Sequence, residues 1–267
     1  MVTSASGPVL QSSSALTQFI LAPNPGPMSL DGTNSYVLRA DGYSGAIVVD
    51  PGPLDEEHLR ALAGAGPVEL ILVTHRHADH TAGSARLHEL TGAPVRAADP
   101  AHCHGSGTPL QAGEVLSAAG LEARVVATPG HTSDSVCFHL PGDGPHGSVL
   151  TGDTILGRGT TMLDYPDGTL SDYLASLDRL EALGPAAVLP AHGPVLPSLT
   201  DIVRDYRAHR LERLAQIRTA LDQLNLDATA GDVADVVYAD VDPSVRRAAE
   251  TSVAAQLHYL RGGADRL

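Results

Sequence analysis

Apolar and polar positions divide this chain into short alternating blocks up to about residue 198, and into longer helical periods beyond it. Apolar or β-branched runs of strand length fall at 35–38, 46–49, 69–73, 94–97, 124–127, 135–140, 148–150 and 187–189. Another apolar run at 19–22 is followed by prolines at 23, 25 and 27, which forbid regular pairing there. Asp41-Gly42 is a hairpin turn signal between two of the runs. The stretch up to Ser14, rich in Ser and Gly, reads as frayed. One helix is expected from Asp55, as cap, to Ala63, with Gly64 ending it. A second covers 169–183, where apolar residues recur at 170, 173, 174, 177, 180 and 183 between Thr169 as cap and Gly184. Short strands alternating with helices of this length predict two sheets with helices packed outside. After about Ser198 the pattern is purely helical. A charged amphipathic helix spans 201–225, a shorter one 232–238, and a last one runs from Pro243, capped by Asp242, to about Arg261. The expected organisation is a domain at 1–200 and a helical unit at 201–267.

Composition narrows the class. The 267 residues are 43% hydrophobic, which suffices for a packed core. No run reaches the roughly 18–20 apolar residues of a membrane span. The first 38 residues hold no Lys or Arg, and the only cysteines are Cys103 and Cys137, so the expected address is cytoplasmic and a disulfide scaffold is excluded. Cys137, inside an apolar run, is expected to be a buried thiol. All 17 basic residues are Arg, and against 31 acids the formal charge is −14. That charge repels polyanions at long range. Seven Tyr, two Phe and no Trp leave few stacking platforms for nucleic acid.

The candidate chemistry lies in Thr74-His75-Arg76-His77-Ala78-Asp79-His80, directly after the run at 69–73. Three imidazoles and a carboxylate within six residues cannot be hidden in a core without partners. Imidazole nitrogen and carboxylate oxygen are the donors that Zn²⁺ and similar divalent ions take. His131 follows the run at 124–127, Asp153 the run at 148–150, and His192 the run at 187–189. All four sites thus fall just past the end of an expected strand, where one sheet edge would collect them. Asp50, closing the run at 46–49, and Thr74 are candidates to support the ligand loop by hydrogen bonding.

These residues together resemble the metallo-β-lactamase superfamily. The resemblance implies an α/β fold, a four-layer αββα sandwich, with two zinc ions per chain. It implies that His75, His77 and His131 hold one ion, that Asp79, His80 and His192 hold the other, and that Asp153 bridges them. A hydroxide between the metals would be the nucleophile, with Asp79 orienting it; metal binding lowers the pKa of water from 15.7 to roughly 7. Asn24-Pro25-Gly26-Pro27-Met28, Gly32-Thr33-Asn34-Ser35-Tyr36, the segment 151–161 and Ala191-His192-Gly193-Pro194 look like the branch of the mitochondrial β-lactamase-like endoribonuclease, which carries a C-terminal helical, winged-helix-like domain. True β-lactamases usually have Cys at the position of Asp153 and no ligand at that of His80. Flavodiiron proteins have Glu where His77 stands.

Three substrate classes follow from the resemblance. The first is RNA, cleaved at its phosphodiester, with Arg204, Arg207, Arg210 and Arg213 as a stripe able to touch phosphates. The second is a small ester or thioester, as in hydroxyacylglutathione hydrolase, which suits an acidic, aromatic-poor chain. The third is persulfide oxidation at a single iron. The sequence leaves the oligomeric state open.

Overall fold

The computed structural model describes residues 8–239 and 246–262. Among them, one sheet places β1 (Gln11–Ser12), β2 (Thr17–Leu21), β3 (Asn34–Leu38), β4 (Ala46–Val49), β5 (Val68–Leu72) and β6 (Val95–Arg96) side by side in chain order. The other places β7 (Val115–Ala118), β8 (Leu121–Ala127), β9 (Val136–Leu140), β10 (Ser148–Gly152) and β11 (Ala187–Pro190) likewise in sequence. The sheets lie face to face with helices outside. α1 (Glu56–Ala63), α2 (Ala78–Thr81) and α3 (Ser84–Thr91) belong to the first sheet's side. α4 (Leu170–Glu181) and α5 (Leu199–Gln223) cover the second, and α6 (Ala230–Val237) and α7 (Arg246–Gly262) follow. This is the expected αββα sandwich with C-terminal helices. No strand joins those helices among the described residues. The expected cap Asp242 and Pro243 lie outside the described residues.

The layers follow from alternation along each strand. Tyr36, Leu38, Ile47, Val49, Leu70 and Leu72 point to the interior between the sheets, where they meet Leu116, Val125, Phe138, Leu140, Leu150 and Leu189. Their neighbours Val37, Val48 and Ile71 face the other way, under Leu59 and Leu62 of α1 and Leu87 of α3. On the far sheet Cys137, Val149 and Val188 pack beneath Tyr173 and Leu177 of α4 and Val203 and Tyr206 of α5. Strands buried on both faces read as continuous apolar runs, which explains why those runs lack polar alternation. Cys137 is the buried thiol the sequence predicts, and burial pushes it up to about 11, which makes it inert.

Besides the unexpected helices α2 and α3, three features differ from the pattern reading. Gln11–Ser12 is not frayed but pairs antiparallel with Phe19 and Gln18. Asp143 fixes the segment by accepting from Ser14 Oγ at 2.6 Å and Leu16 N at 3.0 Å. The β7–β8 hairpin adds an edge that the runs did not show, and α5 starts at Leu199, capped by Ser198, whose hydroxyl accepts from Asp201 N.

Strand direction sets the position of the site. β4 and β5 are parallel. β9 runs antiparallel to both β8 and β10, and β11 is parallel to β10, so β8, β10 and β11 share one direction. The loops leaving β4 and β5 therefore emerge together, as do those leaving β8, β10 and β11. Hydrogen bonds from Val136 N to the Thr74 carbonyl (2.8 Å) and from Asn34 N to the Ala191 carbonyl (2.7 Å) join the two sheets along this shared rim.

Candidate metal centre

Each loop on the rim delivers one part of the site. The loop after β5 carries His75 and His77 and runs into α2, whose first turn holds Asp79 and His80. His131 lies after β8, Asp153 after β10 and His192 after β11. Gly152 has φ +49°, and a Cβ there would lie 2.7 Å from Thr74 Oγ1, so only glycine lets the β10 end approach the His75 loop this closely.

The seven side chains gather into two adjoining groups. His75, His77, His131 and Asp153 form one, and Asp79, His80 and His192 the other; within each group one donor atom per residue lies within 4.8 Å of the others. His77 Nδ1 is 3.1 Å from His75 Nε2 and 3.0 Å from His131 Nε2. Asp153 faces both groups. Its Oδ2 is 3.9 Å from His75 Nε2 and 3.6 Å from His131 Nε2, while its Oδ1 is 3.3 Å from His192 Nε2 and 3.6 Å from His80 Nε2. Asp79 Oδ2 lies 3.3 Å from His192 Nε2 and 3.6 Å from His80 Nε2. Tetrahedral zinc with bonds of about 2.0–2.1 Å separates its ligand atoms by about 3.3 Å, within the span seen here.

Hydrogen bonds on the far side of each ring fix which nitrogen faces inward. Thr74 Oγ1 donates to Asp50 Oδ2 at 2.7 Å and so accepts from His75 Nδ1 at 3.0 Å. His80 Nδ1 donates to the same Asp50 oxygen at 2.9 Å. His131 Nδ1 donates to the Met162 carbonyl at 2.6 Å, and His192 Nδ1 to the Gly32 carbonyl at 3.1 Å. Nε2 of all four is thereby left as a bare lone pair turned inward. His77 is reversed: its Nε2 donates to Asp164 Oδ2 at 3.2 Å, leaving Nδ1 inward. Five imidazole lone pairs and two carboxylates thus converge with no proton donor between them. Accordingly His80 Nε2, His192 Nε2 and Asp153 Oδ1 are buried and without a hydrogen-bond partner. Buried polar atoms left in this way are costly, and a divalent cation satisfies all of them at once.

The electrostatics point the same way. Burial holds His75 and His131 below their ordinary pKa, hence neutral. Burial opposes charge on His80 too, but Asp50 and Asp153 outweigh it and hold its pKa well above the ordinary value; Asp153 and Asp79 do the same for His192, raising it to about 9. Burial would push Asp153 up, yet His80 and His192 hold it well below the usual carboxylate range. Positive charge is demanded at the second group, as protons or as metal.

Asp50 and Thr74 stand behind the ligands. Asp50 accepts from Thr74 N at 2.8 Å with its other oxygen, so one carboxylate holds Thr74 and His80 together. Its φ of +53° is unusual for a residue with a Cβ and keeps that carboxylate turned under the loop. The motif at 32–36, at the start of β3 in the first sheet, braces the rims of both sheets. Thr33 Oγ1 donates to the Asp79 carbonyl, and the Asn34 amide donates to the Pro190 and Gly193 carbonyls either side of His192. Asp164 escaped the sequence reading. It lies in a loop without periodicity and meets His77 and Arg76 from 87 and 88 residues away. Arg76 joins it to Asp167, which accepts from Ser133 beside His131. The arginine series does not form a free stripe: Arg204 pairs with Glu181, Arg207 with Asp178 and Glu181, and Arg210 is buried.

Fold, rim and donor set define a metallo-hydrolase scaffold, and comparison with known proteins agrees. The family model of the metallo-beta-lactamase superfamily matches residues 28–192. The chain belongs to this superfamily and has the fold of its hydrolases. It is 32% identical over 265 residues to the beta-lactamase-like protein 2 homolog of Caenorhabditis elegans, covering 95% of this chain and 86% of that protein. It is 34% identical over 221 residues to an atrochrysone carboxyl ACP thioesterase of Aspergillus fumigatus, covering 80% of this chain and 67% of the other. Among solved structures, a beta-lactamase domain protein from Burkholderia ambifaria superposes with a TM-score of 0.79 at 22% identity over 97% of this chain and 91% of its own.

Proposed function

We propose that the chain is a dinuclear metal-dependent hydrolase of small esters or thioesters. The observation that carries this reading is the set of five inward-turned imidazole nitrogens split into two groups, with Asp153 facing both. His75, His77 and His131 would hold one ion, Asp79, His80 and His192 the other, and Asp153 would bridge; zinc suits these nitrogen and oxygen donors. When bound, the ions supply an acidified water and polarise the carbonyl or phosphoryl oxygen under attack. Asp79, 32% exposed and the most open of the second group, would orient that water through its carboxylate. Asp50 and Asp164 keep His80 and His77 in the tautomers that present a lone pair.

A small substrate is favoured over a polymer by the cavity that adjoins the ligands. It has a volume of about 430 Å³, is lined by His131 and Asp153, and is closed on one side by α5 and α7. The named thioesterase relative supports the same class. RNA cleavage is the second reading. It is supported by the endoribonuclease-like motifs at 24–28, 32–36 and 151–161 and by Arg158 and Arg213 on the cavity wall. Against it stand the charge of −14 and the pairing of Arg204 and Arg207 with acids.

The decisive experiment measures metals per chain and hydrolysis of acyl thioesters and of fluorescent RNA, each with a chelator control. Two metals and chelator-sensitive thioester cleavage are expected, and His77→Ala and Asp153→Ala should lose metal and activity together. Full activity in metal-free protein would overturn the proposal. Cleavage of RNA alone would move the assignment to the second reading. One iron per chain with oxygen consumption would move it to persulfide oxidation.

A further inference from the structure

The cavity beside the ligands has an uneven charge. Its inner wall carries His131 and Asp153, and its outer wall is built by α5 and its neighbours with Arg210 and Arg213. One or two turns earlier on α5, Arg204 and Arg207 are neutralised by Asp178 and Glu181. Arg210 and Arg213 form no ion pair with a described residue. Arg210 is 4% exposed; it stacks over the Tyr173 ring at 4.9 Å, donates to the Thr161 carbonyl, and leaves its Nε buried without a partner. Arg213, half-buried, lies over Tyr238 at 4.8 Å and donates to the Gln216 side chain at 2.6 Å. Burial, with Arg210 and Arg213 close by and Glu212 opposing them, holds the neighbouring His209 below its ordinary pKa. A guanidinium kept from water without a counter-charge is costly, and among the described residues of a chain with 31 acids the lack of an acidic partner for these two on a cavity wall is a specific arrangement. The same cavity is also lined by the apolar side chains of Met28, Leu30, Leu156 and Met162, with Arg158, Thr160 and Thr161 beside them.

We infer that this cavity receives an anionic substituent of the substrate, a carboxylate or a phosphate, with Arg213 and Arg210 as its cationic partners and the apolar lining along the chain that leads to the scissile bond. The inference rests on the ester or thioester reading and adds the substrate's second recognition group. Planar guanidinium forks match both oxyanions, and both sources share that chemistry. The anion is carried either by the acyl chain or by the thiol arm.

The test uses the metal-loaded protein and two matched pairs of thioesters. Glutaryl and valeryl N-acetylcysteamine differ in a terminal carboxylate on the acyl side. Acetyl pantetheine with and without a phosphate monoester differs on the thiol side. In one pair the anionic member is expected to have at least about tenfold higher kcat/KM, mainly through KM. Arg213→Gln should bring that ratio down towards one, and Arg213→Lys should retain part of it. Added salt should shrink it as well. Ratios within about twofold in both pairs, or a ratio that Arg213→Gln leaves intact, would overturn the inference. Arg213 is half-buried, so its substitution spares the core that Arg210→Met would disturb; retained metal content and thermal melting confirm that each variant is folded. If no thioester is cleaved, the functional reading itself fails, and calorimetric titration of glutarate and of phosphopantetheine into the same proteins still decides the subsite. Weaker binding to Arg213→Gln would sustain it, and equal binding would end it.

Discussion

At the scale of single residues, the proposed centre would depend on side chains that never face its ions. Asp164 is the clearest case, since among the described residues it alone accepts from His77 Nε2, the bond that turns this ring opposite to the other four. Asp164→Ala frees His77 to rotate and leaves Arg76 with Asp167 alone. Metal affinity should fall by about 10–100-fold, read by competition with a chromogenic chelator. An unchanged affinity would show that packing alone holds the ring. His58 offers a second residue-scale test, away from the ligands. It is fully buried in α1, pairs with Ser35 Oγ at 2.9 Å, and burial lowers its pKa from 6.5 to about 4. The unfolded chain therefore takes up a proton at a higher pH than the folded one. The stability this neutral ring contributes is complete above pH 6.5 and is lost as the pH falls through 4. Between pH 7 and about 5 the wild type should lose about 2 kcal/mol more than His58→Gln, measured by urea unfolding at each pH. Parallel pH profiles for the two proteins would refute the assignment.

At the scale of elements, the legible parts of the chain were those whose reason is local. The contiguous His75 to His80 stretch announces its chemistry by spacing, and His131, Asp153 and His192 announce theirs by lying just past an apolar run. α1 and α4 were legible because Asp55 and Thr169 cap them in the ordinary way, accepting from His58 N and Asp172 N. What stayed hidden depends on distant partners or on a turn without its usual residues. The β7–β8 hairpin turns through Ala119 and Gly120, both at positive φ (51° and 72°). That is the two-residue geometry Asn-Gly usually marks, and Ala at the first position conceals it. The strand Gln11–Ser12 was hidden because Asp143, 127 residues from Leu16, anchors the segment. Helix α5 shows the same dependence in the opposite direction. Tyr206 on it accepts from Leu156 N at 2.9 Å and donates to the Leu156 carbonyl, pinning the loop that follows Asp153. Tyr206→Phe leaves both Leu156 groups without this partner and should cost about 1–3 kcal/mol in urea unfolding. A cost near zero would mean that α5 covers the loop without holding it.

At the scale of the whole molecule, the proposed ions do structural as well as chemical work, because their ligands come from both sheets. His75, His77, Asp79 and His80 belong to the first sheet's rim, and His131, Asp153 and His192 to the second's. Without a cation, five inward lone pairs and two carboxylates oppose one another across the seam that closes the sandwich. Protonation of His80 and His192 relieves only the second group, while His75 and His131 are held neutral by burial. Metal binding would therefore be folding free energy. At a metal concentration of about 1,000 Kd, one site contributes about 4 kcal/mol, and for a chain of this size each kcal/mol moves the midpoint by about 2–4 °C. Chelation should lower the melting temperature by about 10 °C or more, and stoichiometric zinc should restore it. In His80→Ala, which leaves the first group's donors in place, chelation should produce a smaller drop than in the wild type. A melting temperature indifferent to chelator in protein shown to contain metal would mean that the two rims are held by the apolar interior and by hydrogen bonds such as those of Val136 and Asn34. The seven residues would then be a chemical site mounted on the sandwich rather than part of what closes it.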